Sequence, residues 1–523
     1  MKAQNNVYLK ASLIFFFFFL LFFSVHWLGD GFISNDDPYY HAKHAQLIER
    51  SGNLTLTEPW LEFHFLNYAP VDPWWGYHLL LALFIHCFGL ILGVKILSSF
   101  LAALVFLIFY LILNNLNLKY PAVWTCLLFF ASSIFEYRLF LERPHLLSII
   151  ILPLGLWLLI REKYFWLFLL ALFYALAYQL APLVILPALI FSAVGACFNK
   201  RLNLKPLIAA AGGVLAGIII HPHSLNYLYV IFISFFEIFF LKFSGIDLDI
   251  GGELRLMDFS GFVYNNFLVL SFYAAAAVLF LALRKYDRNK AVSWFLFLYS
   301  GFWFLVALLV LRGVEYWLPS AVLFIALMFN NFWPTTEFNQ IKHWLKSKIN
   351  LKVLGFFLVS LTILIIFNNL INIFSPIYEV KKNSDYQSFE QANFWLKSHT
   401  EKNSIIFYDN WGMWPMMFYF NDYNHYITGM DPTFLYEYDA RTYWIWRNLI
   451  ADGLFCDQPR PCSNISLTKQ AELAPWAIKN IFRADYAVLI NNQDGKLIKN
   501  FNNLPASARL VFKSRTLIIY EIK

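Results

Sequence analysis

Long apolar runs, cut by short polar linkers, fill the first 375 residues, and a different pattern follows them. The runs fall at 9–28, 96–113, 120–136, 146–160, 165–180, 182–198, 206–220, 262–283, 291–311, 314–331 and 353–374. A helix needs about 20 apolar residues to cross a hydrocarbon core, so the pattern predicts a polytopic α-helical membrane protein with about eleven transmembrane helices. Two further apolar stretches, 77–92 and 225–241, read as interfacial or re-entrant helices. If both cross, the count becomes thirteen and the termini keep their sides. The first run follows Lys2 and Lys10, and no small-x-small cleavage site appears around His26 to Asp30, so it reads as an uncleaved span.

The linkers orient the chain. Arg161-Glu162-Lys163, Asn199 through Lys205, Arg284 through Lys290 and Lys342 through Lys352 are basic, which places them and the amino terminus in the cytoplasm. The external side then receives loops 29–95, 137–145 and 221–261 and the tail beyond Pro376. Residues 1–375 are expected to form the membrane module, and 376–523 an extracytoplasmic domain. In that tail, Tyr386 to Ser398 has the spacing of an amphipathic helix. Ser404 to Tyr408, Asp485 to Ile490, Arg509 to Lys513 and Thr516 to Tyr520 read as strands, which predicts a compact α/β fold.

Composition agrees with this reading. Of 523 residues 59% are hydrophobic and only 14% charged, whereas a soluble chain carries about a quarter charged. The net charge of +7 is dispersed among linkers, with no basic tract of the kind that binds nucleic acid. Cys456 and Cys462 lie in a turn-rich part of the external tail, where an oxidising compartment permits a disulfide. Cys87, Cys126 and Cys197 sit in apolar surroundings and read as small core residues. No ligand spacing indicates a structural zinc site.

The candidate chemistry lies at the ends of the runs. Ser34-Asn35-Asp36-Asp37-Pro38-Tyr39-Tyr40-His41 follows the first span directly, and charge at a membrane edge marks function unless it merely ends a helix. Pro38 biases Asp37 toward extended backbone, and a helix from Pro38 to Glu49 would put Asp37 near its cap. His41 and His44, three apart, share a face and could clamp a metal or bond a phosphate or backbone group. Trp60, Trp74, Trp75, Glu62, Asp72 and His78 mix rings with carboxylates, which suits a sugar or head group as well as interfacial anchoring. Glu136 through His145 forms a second charged turn. There Arg143 offers a fork for phosphate oxygens, and Glu142 either holds a divalent ion or pairs with Arg143. His221, His223 and the acidic run Asp247 to Glu253 occupy the third loop. At 312–319 the buried Arg312 needs a partner, either a lipid-linked phosphate or Glu315. Asp409-Asn410-Trp411-Gly412 and Gly429 to Thr433 are loops that leave strand ends, where binding residues collect.

This arrangement resembles the integral-membrane GT-C glycosyltransferases: an aspartate pair after the first span, a large first loop, many spans and an external carboxyl-terminal domain. Asp36-Asp37-Pro38-Tyr39-Tyr40-His41 is similar to the first acidic motif of oligosaccharyltransferase catalytic subunits. Glu142 falls where those proteins carry a second acidic motif, here replaced by Glu142-Arg143-Pro144-His145. Asp409-Asn410-Trp411-Gly412 echoes their Trp-Trp-Asp-Tyr-Gly signature. The resemblance implies inverting transfer of a sugar from a polyprenyl-phosphate-linked donor to a lipid, glycan or protein acceptor at the extracytoplasmic face, as in a bacterial inner membrane. It implies Asp37, then Asp36, as catalytic carboxylate, and Arg143, Arg312 and His145 at the donor phosphate. Tyr40, His41, His44, Glu315, Asp409 and Trp411 would contact substrate, and Asp37 with Glu142 would hold any divalent ion, magnesium or manganese. The competing readings are a lipid-linked glycan polymerase or ligase, a peptide oligosaccharyltransferase, and a lipid or solute transporter. The last would place charge near the bilayer midplane and show an internal repeat, and neither is evident.

Overall fold

The computed structural model describes residues 2–332 and 385–523 apart from 30, 35, 58, 59, 245, 247, 250, 288, 461, 463 and 464, with scattered positions between 360 and 378. The chain forms two compact units that interleave along the sequence. One comprises Met1–Gly29, Lys95–Ile220 and Gly252–Glu379; the other comprises Asp30–Val94, His221–Gly251 and Val380–Lys523. Most of the first and third loops thus belongs to the unit that contains the tail.

Among the described residues six helices are long and apolar enough to cross a membrane: Val7–Trp27, Leu90–Asn115, Ala181–Phe198, Phe259–Leu283, Lys290–Leu309 and Leu311–Phe332. Pro121–Phe130 and Ser133–Phe140, bent by 88°, make a seventh if they act as one span. The bend has a local cause, since Ser132 leaves the helical path and its hydroxyl accepts the Phe135 N–H, starting a new helix. Expected spans 146–160, 165–180 and 206–220 fall on helices of 16, 14 and 16 residues. At 1.5 Å per residue these reach about 21–24 Å, short of a full hydrocarbon core. Expected span 353–374 and linker 342–352 lie largely outside the described residues. The short helices Tyr164–Ala177 and Lys205–Ile220 still pack tightly. A Cβ on Gly213 would stand 2.8 Å from that of Ala171, and one on Gly217 2.6 Å from that of Ala175. Small residues four apart on both helices allow this approach.

The three cysteines expected in the core, Cys87, Cys126 and Cys197, are instead exposed on their helices. In a chain of this class apolar neighbours signal a lipid-facing surface as readily as an interior, and the sequence alone does not separate the two.

The second unit is built on a five-stranded sheet. Strands β1 (Ile405–Tyr408), β2 (His425–Tyr426), β3 (Ala484–Ile490), β4 (Ala508–Lys513) and β5 (Leu517–Ile522) lie in the order β2-β1-β3-β5-β4. β1 is parallel to β2 and β3, while β5 runs antiparallel to both β3 and β4. Four of these strands and the helix Tyr386–His399 match the expected pattern, whereas the two-residue β2 had no signature. Beyond β2 the first loop continues the sheet. Leu61 bridges Tyr426, and the Glu62 and Phe63 N–H groups donate to the Tyr426 and Ile427 carbonyls at 2.8 and 2.9 Å. Glu62 also binds His425 at 2.6 Å and Arg483 at 3.1 Å. Cys456 and Cys462 form a disulfide with their Cα atoms 6.0 Å apart.

Candidate functional site

In the second unit the acidic motif opens a helix. Asp36 sits at φ −127°, ψ −124°, and the helix then runs Asp37–Ser51, with Pro38 in its first turn and Gly52 closing it in the left-handed region at φ +65°. Asp37 therefore stands among first-turn N–H groups, a field that favours an anion. The Asp36 carboxylate accepts the Ser34 hydroxyl. Both aspartates are half-buried, whereas Tyr39, Tyr40, His41 and His44 are buried. The Tyr40 ring packs between Trp74 at 5.6 Å and Trp414 at 4.9 Å.

The two histidines of this helix meet residues from beyond it. His41 Nδ1 lies 2.8 Å from His78 Nε2, on helix Trp75–Phe88, and His78 Nδ1 lies 2.7 Å from Asp72 Oδ2. His44 Nε2 approaches the same oxygen at 3.4 Å, and its ring stacks on His78 with centroids 4.4 Å apart. Burial pushes the Asp72 carboxyl up, but the adjacent His78 and His44 outweigh it and hold it well below the usual carboxylate range. Among the described residues this is the grouping whose ligand atoms converge as a metal needs.

In the first unit three guanidiniums gather on one carboxylate. Glu253, in the short turn Gly252–Leu254, receives Arg138 Nη1 at 2.6 Å, Arg312 Nη1 at 3.0 Å and Arg143 Nη1 at 3.6 Å. Burial pushes the Glu253 carboxyl up, yet Arg312, Arg138 and Arg143 together hold it well below its ordinary value. Arg138 also donates through Nε to Glu315, and Arg312 through Nη2 to the Tyr178 hydroxyl. A small cavity of about 10 Å³, room for about one water, lies beside Glu315, with Ser148, Leu152, Pro153, Tyr316 and Ser320 in its wall.

The structure thus brings Arg143 and Arg312 together on Glu253 and adds Arg138, which the sequence did not single out. Of the two partners open to Arg312, a lipid-linked phosphate or Glu315, Glu315 binds Arg138, while Arg312, in the turn Leu311–Gly313, extends to Glu253 and Tyr178. His145 spends Nε2 on the Arg138 carbonyl at 2.8 Å, anchoring the turn. Glu142 is fully buried with His26 Nε2 3.7 Å away, and His26 also reaches the Phe140 carbonyl at 2.9 Å. Glu142 and Asp37, the expected pair of metal ligands, belong to different compact units.

No family model and no curated protein matches the sequence. Solved structures do match the fold. The archaeal oligosaccharyltransferase AglB from Archaeoglobus fulgidus, in complex with an inhibitory peptide and a dolichol-phosphate, aligns with a TM-score of 0.56 and 12% identity, over 92% of this chain and 69% of that one. ArnT from Cupriavidus metallidurans, bound to undecaprenyl phosphate, aligns with a TM-score of 0.54 and 11% identity, over 97% of each chain. The chain has the GT-C fold.

The tail loops singled out in the sequence are held by the sheet. Asp409 leaves β1 and accepts the Ile490 N–H at 3.2 Å, and burial pushes its carboxyl up to about 7. Trp411 starts a short turn closed by Asn410 Oδ1, which accepts the Gly412 N–H at 2.9 Å. Gly429 lies against the Trp414 ring, where a Cβ would come within 2.5 Å. The acidic run of the third loop divides. The Asp249 N–H donates to the Tyr443 hydroxyl in the second unit, Glu253 joins the arginines in the first, and Asp247 lies outside the described residues.

Proposed function

We propose that this chain is a membrane glycosyltransferase that takes a sugar from a polyprenyl-phosphate-linked donor at the extracytoplasmic face and passes it to a lipid, glycan or protein acceptor. The observation that carries the reading is the set of three guanidiniums on Glu253 at the end of apolar helices. Arginine forks match phosphate oxygens, and in low dielectric they remain strong. The GT-C fold supports the same class, since AglB and ArnT were solved with dolichol-phosphate and undecaprenyl phosphate.

In this reading the acceptor oxygen attacks the anomeric carbon from the face opposite the phosphate. The bond from that carbon to the phosphate oxygen breaks, its electron pair stays on the phosphate, and the configuration inverts. A carboxylate takes the acceptor proton, a role that the resemblance of the first acidic motif gives to Asp37 and, after it, to Asp36. Arg138, Arg143 and Arg312 hold the negative charge of the leaving polyprenyl phosphate. An incoming phosphate competes with Glu253 for these guanidiniums, so the turn Gly252–Leu254 must yield as the donor binds.

The test is transfer by full-length protein in nanodiscs from a panel of polyprenyl-phosphate sugars. Asp37→Asn should lower turnover by about 10²–10⁴-fold, the usual worth of a general base, with unfolding temperature unchanged. Parental turnover in both Asp36→Asn and Asp37→Asn would remove the proposed base.

A further inference from the structure

The transfer chemistry above leaves the buried His44, Asp72 and His78 cluster without a role. His44 Nε2, Asp72 Oδ2 and His78 Nδ1 lie within 4.8 Å of one another, and all three side chains are shut off from solvent. They come from two helices and a turn: His44 from Asp37–Ser51, His78 from Trp75–Phe88, and Asp72 from the turn between them. Two imidazoles with one carboxylate suit a borderline cation such as zinc better than magnesium, which prefers oxygen ligands throughout.

The surrounding shell is of the kind that ligands of a metal require. The far nitrogen of His78 meets His41 Nδ1 at 2.8 Å. The second carboxylate oxygen of Asp72 accepts the Trp74 N–H at 3.0 Å, and its peptide carbonyl is 3.1 Å from His221 Nε2. Such outer partners set the tautomer and aim of the ligating atom.

We propose that His44, Asp72 and His78 bind a zinc-class divalent ion that fastens helix Asp37–Ser51 to helix Trp75–Phe88. The ion takes the place of the hydrogen bond between His78 and Asp72. It touches no substrate. It positions Asp37 through the helix that Asp37 opens, and its ligands are positioning residues. This site stands or falls independently of the sugar-transfer reading, because metal content and unfolding report it without any activity.

The test uses full-length protein in nanodiscs, purified without a polyhistidine tag, exposed to zinc and then washed. Mass spectrometry should find about one zinc per chain in the parent. His44→Gln and Asp72→Asn should each retain less than about a tenth of it. The exposed His86–Glu49 pair, 3.1 Å apart on the same two helices, is the surface alternative, and His86→Ala should keep the metal. Zinc should raise the unfolding temperature of the parent, dipicolinate should lower it, and neither should move His44→Gln. A parent that takes up no zinc, or that loses it in His86→Ala but not in Asp72→Asn, overturns the proposal. So does a parental unfolding temperature indifferent to zinc and chelator, which would leave a hydrogen-bonded hub.

Discussion

Burial drives the His64 imidazole down to about 3 and the Asp409 carboxyl up to about 7, and the two have opposite consequences for stability. His64 is neutral when folded, so its contribution is complete above about 6.5 and is lost as pH falls toward 3, by about 2 kcal/mol at pH 5. Asp409 keeps its proton when folded, so its contribution is complete below about 4 and is lost as pH rises through 7. Because it is partly exposed, this amounts to about 1–2 kcal/mol. Asp409→Asn should therefore stabilise the full chain at pH 7.5 relative to the parent and do less at pH 5. His64→Gln should shrink the parent's loss between pH 7 and pH 5. Thermal unfolding at these pH values decides it, and identical shifts at each pH would contradict the assignment. At this scale the sequence showed which residues carry charge but not whom they meet. Asp37 was legible at its helix start because Pro38 marks the turn. Arg138 was not, because nothing within 136–145 says that it turns, together with Arg143, toward a residue 115 positions after it.

Short helices decide the next level. Gly213 and Gly217 let helix Lys205–Ile220 settle onto Tyr164–Ala177, where a Gly213 Cβ would collide with the Phe168 carbonyl and Ala171. Gly212, one position away, would place a Cβ 3.8 Å from Phe168, ordinary contact. Gly213→Ala should cost about 1–3 kcal/mol by overpacking, whereas Gly212→Ala should be neutral or gain up to about 1 kcal/mol of helix propensity. Unfolding temperatures of the two variants in the same nanodiscs test this, and equal values would contradict the close packing. Strands β1, β3, β4 and β5 were readable because apolar residues cluster between turn residues. β2 was not, since two residues carry no period and His425–Tyr426 is a strand only through its neighbours β1 and Leu61.

At the scale of the whole molecule the apolar runs announced a membrane protein, and the linkers give a sidedness that can be checked. In a background with Cys87, Cys126 and Cys197 replaced by serine, Lys402→Cys should react with a membrane-impermeant maleimide on intact cells. Lys163→Cys should react only after permeabilisation, and the reverse would overturn the orientation. The interleaving of the two units was hidden. Loop 30–94 joins the tail through the Leu61–Tyr426 bridge and the Glu62 contacts, and 221–251 joins it through Asp249 and Tyr443. Pairings between residues hundreds of positions apart leave no local pattern. The three metal-type ligands were not legible as a set, since His41 and His44 showed a shared face while Asp72 and His78 lay a loop away.

The claim on which the functional account rests is that Arg138, Arg143 and Arg312 form an isoprenoid-phosphate site held by Glu253 until the donor arrives. Equilibrium binding of a polyprenyl phosphate to full-length protein in nanodiscs measures it directly. Arg312→Gln should weaken binding by about 10–100-fold, the worth of a charge-assisted hydrogen bond, and Glu253→Gln should tighten it. Parental affinity in both variants would contradict the account.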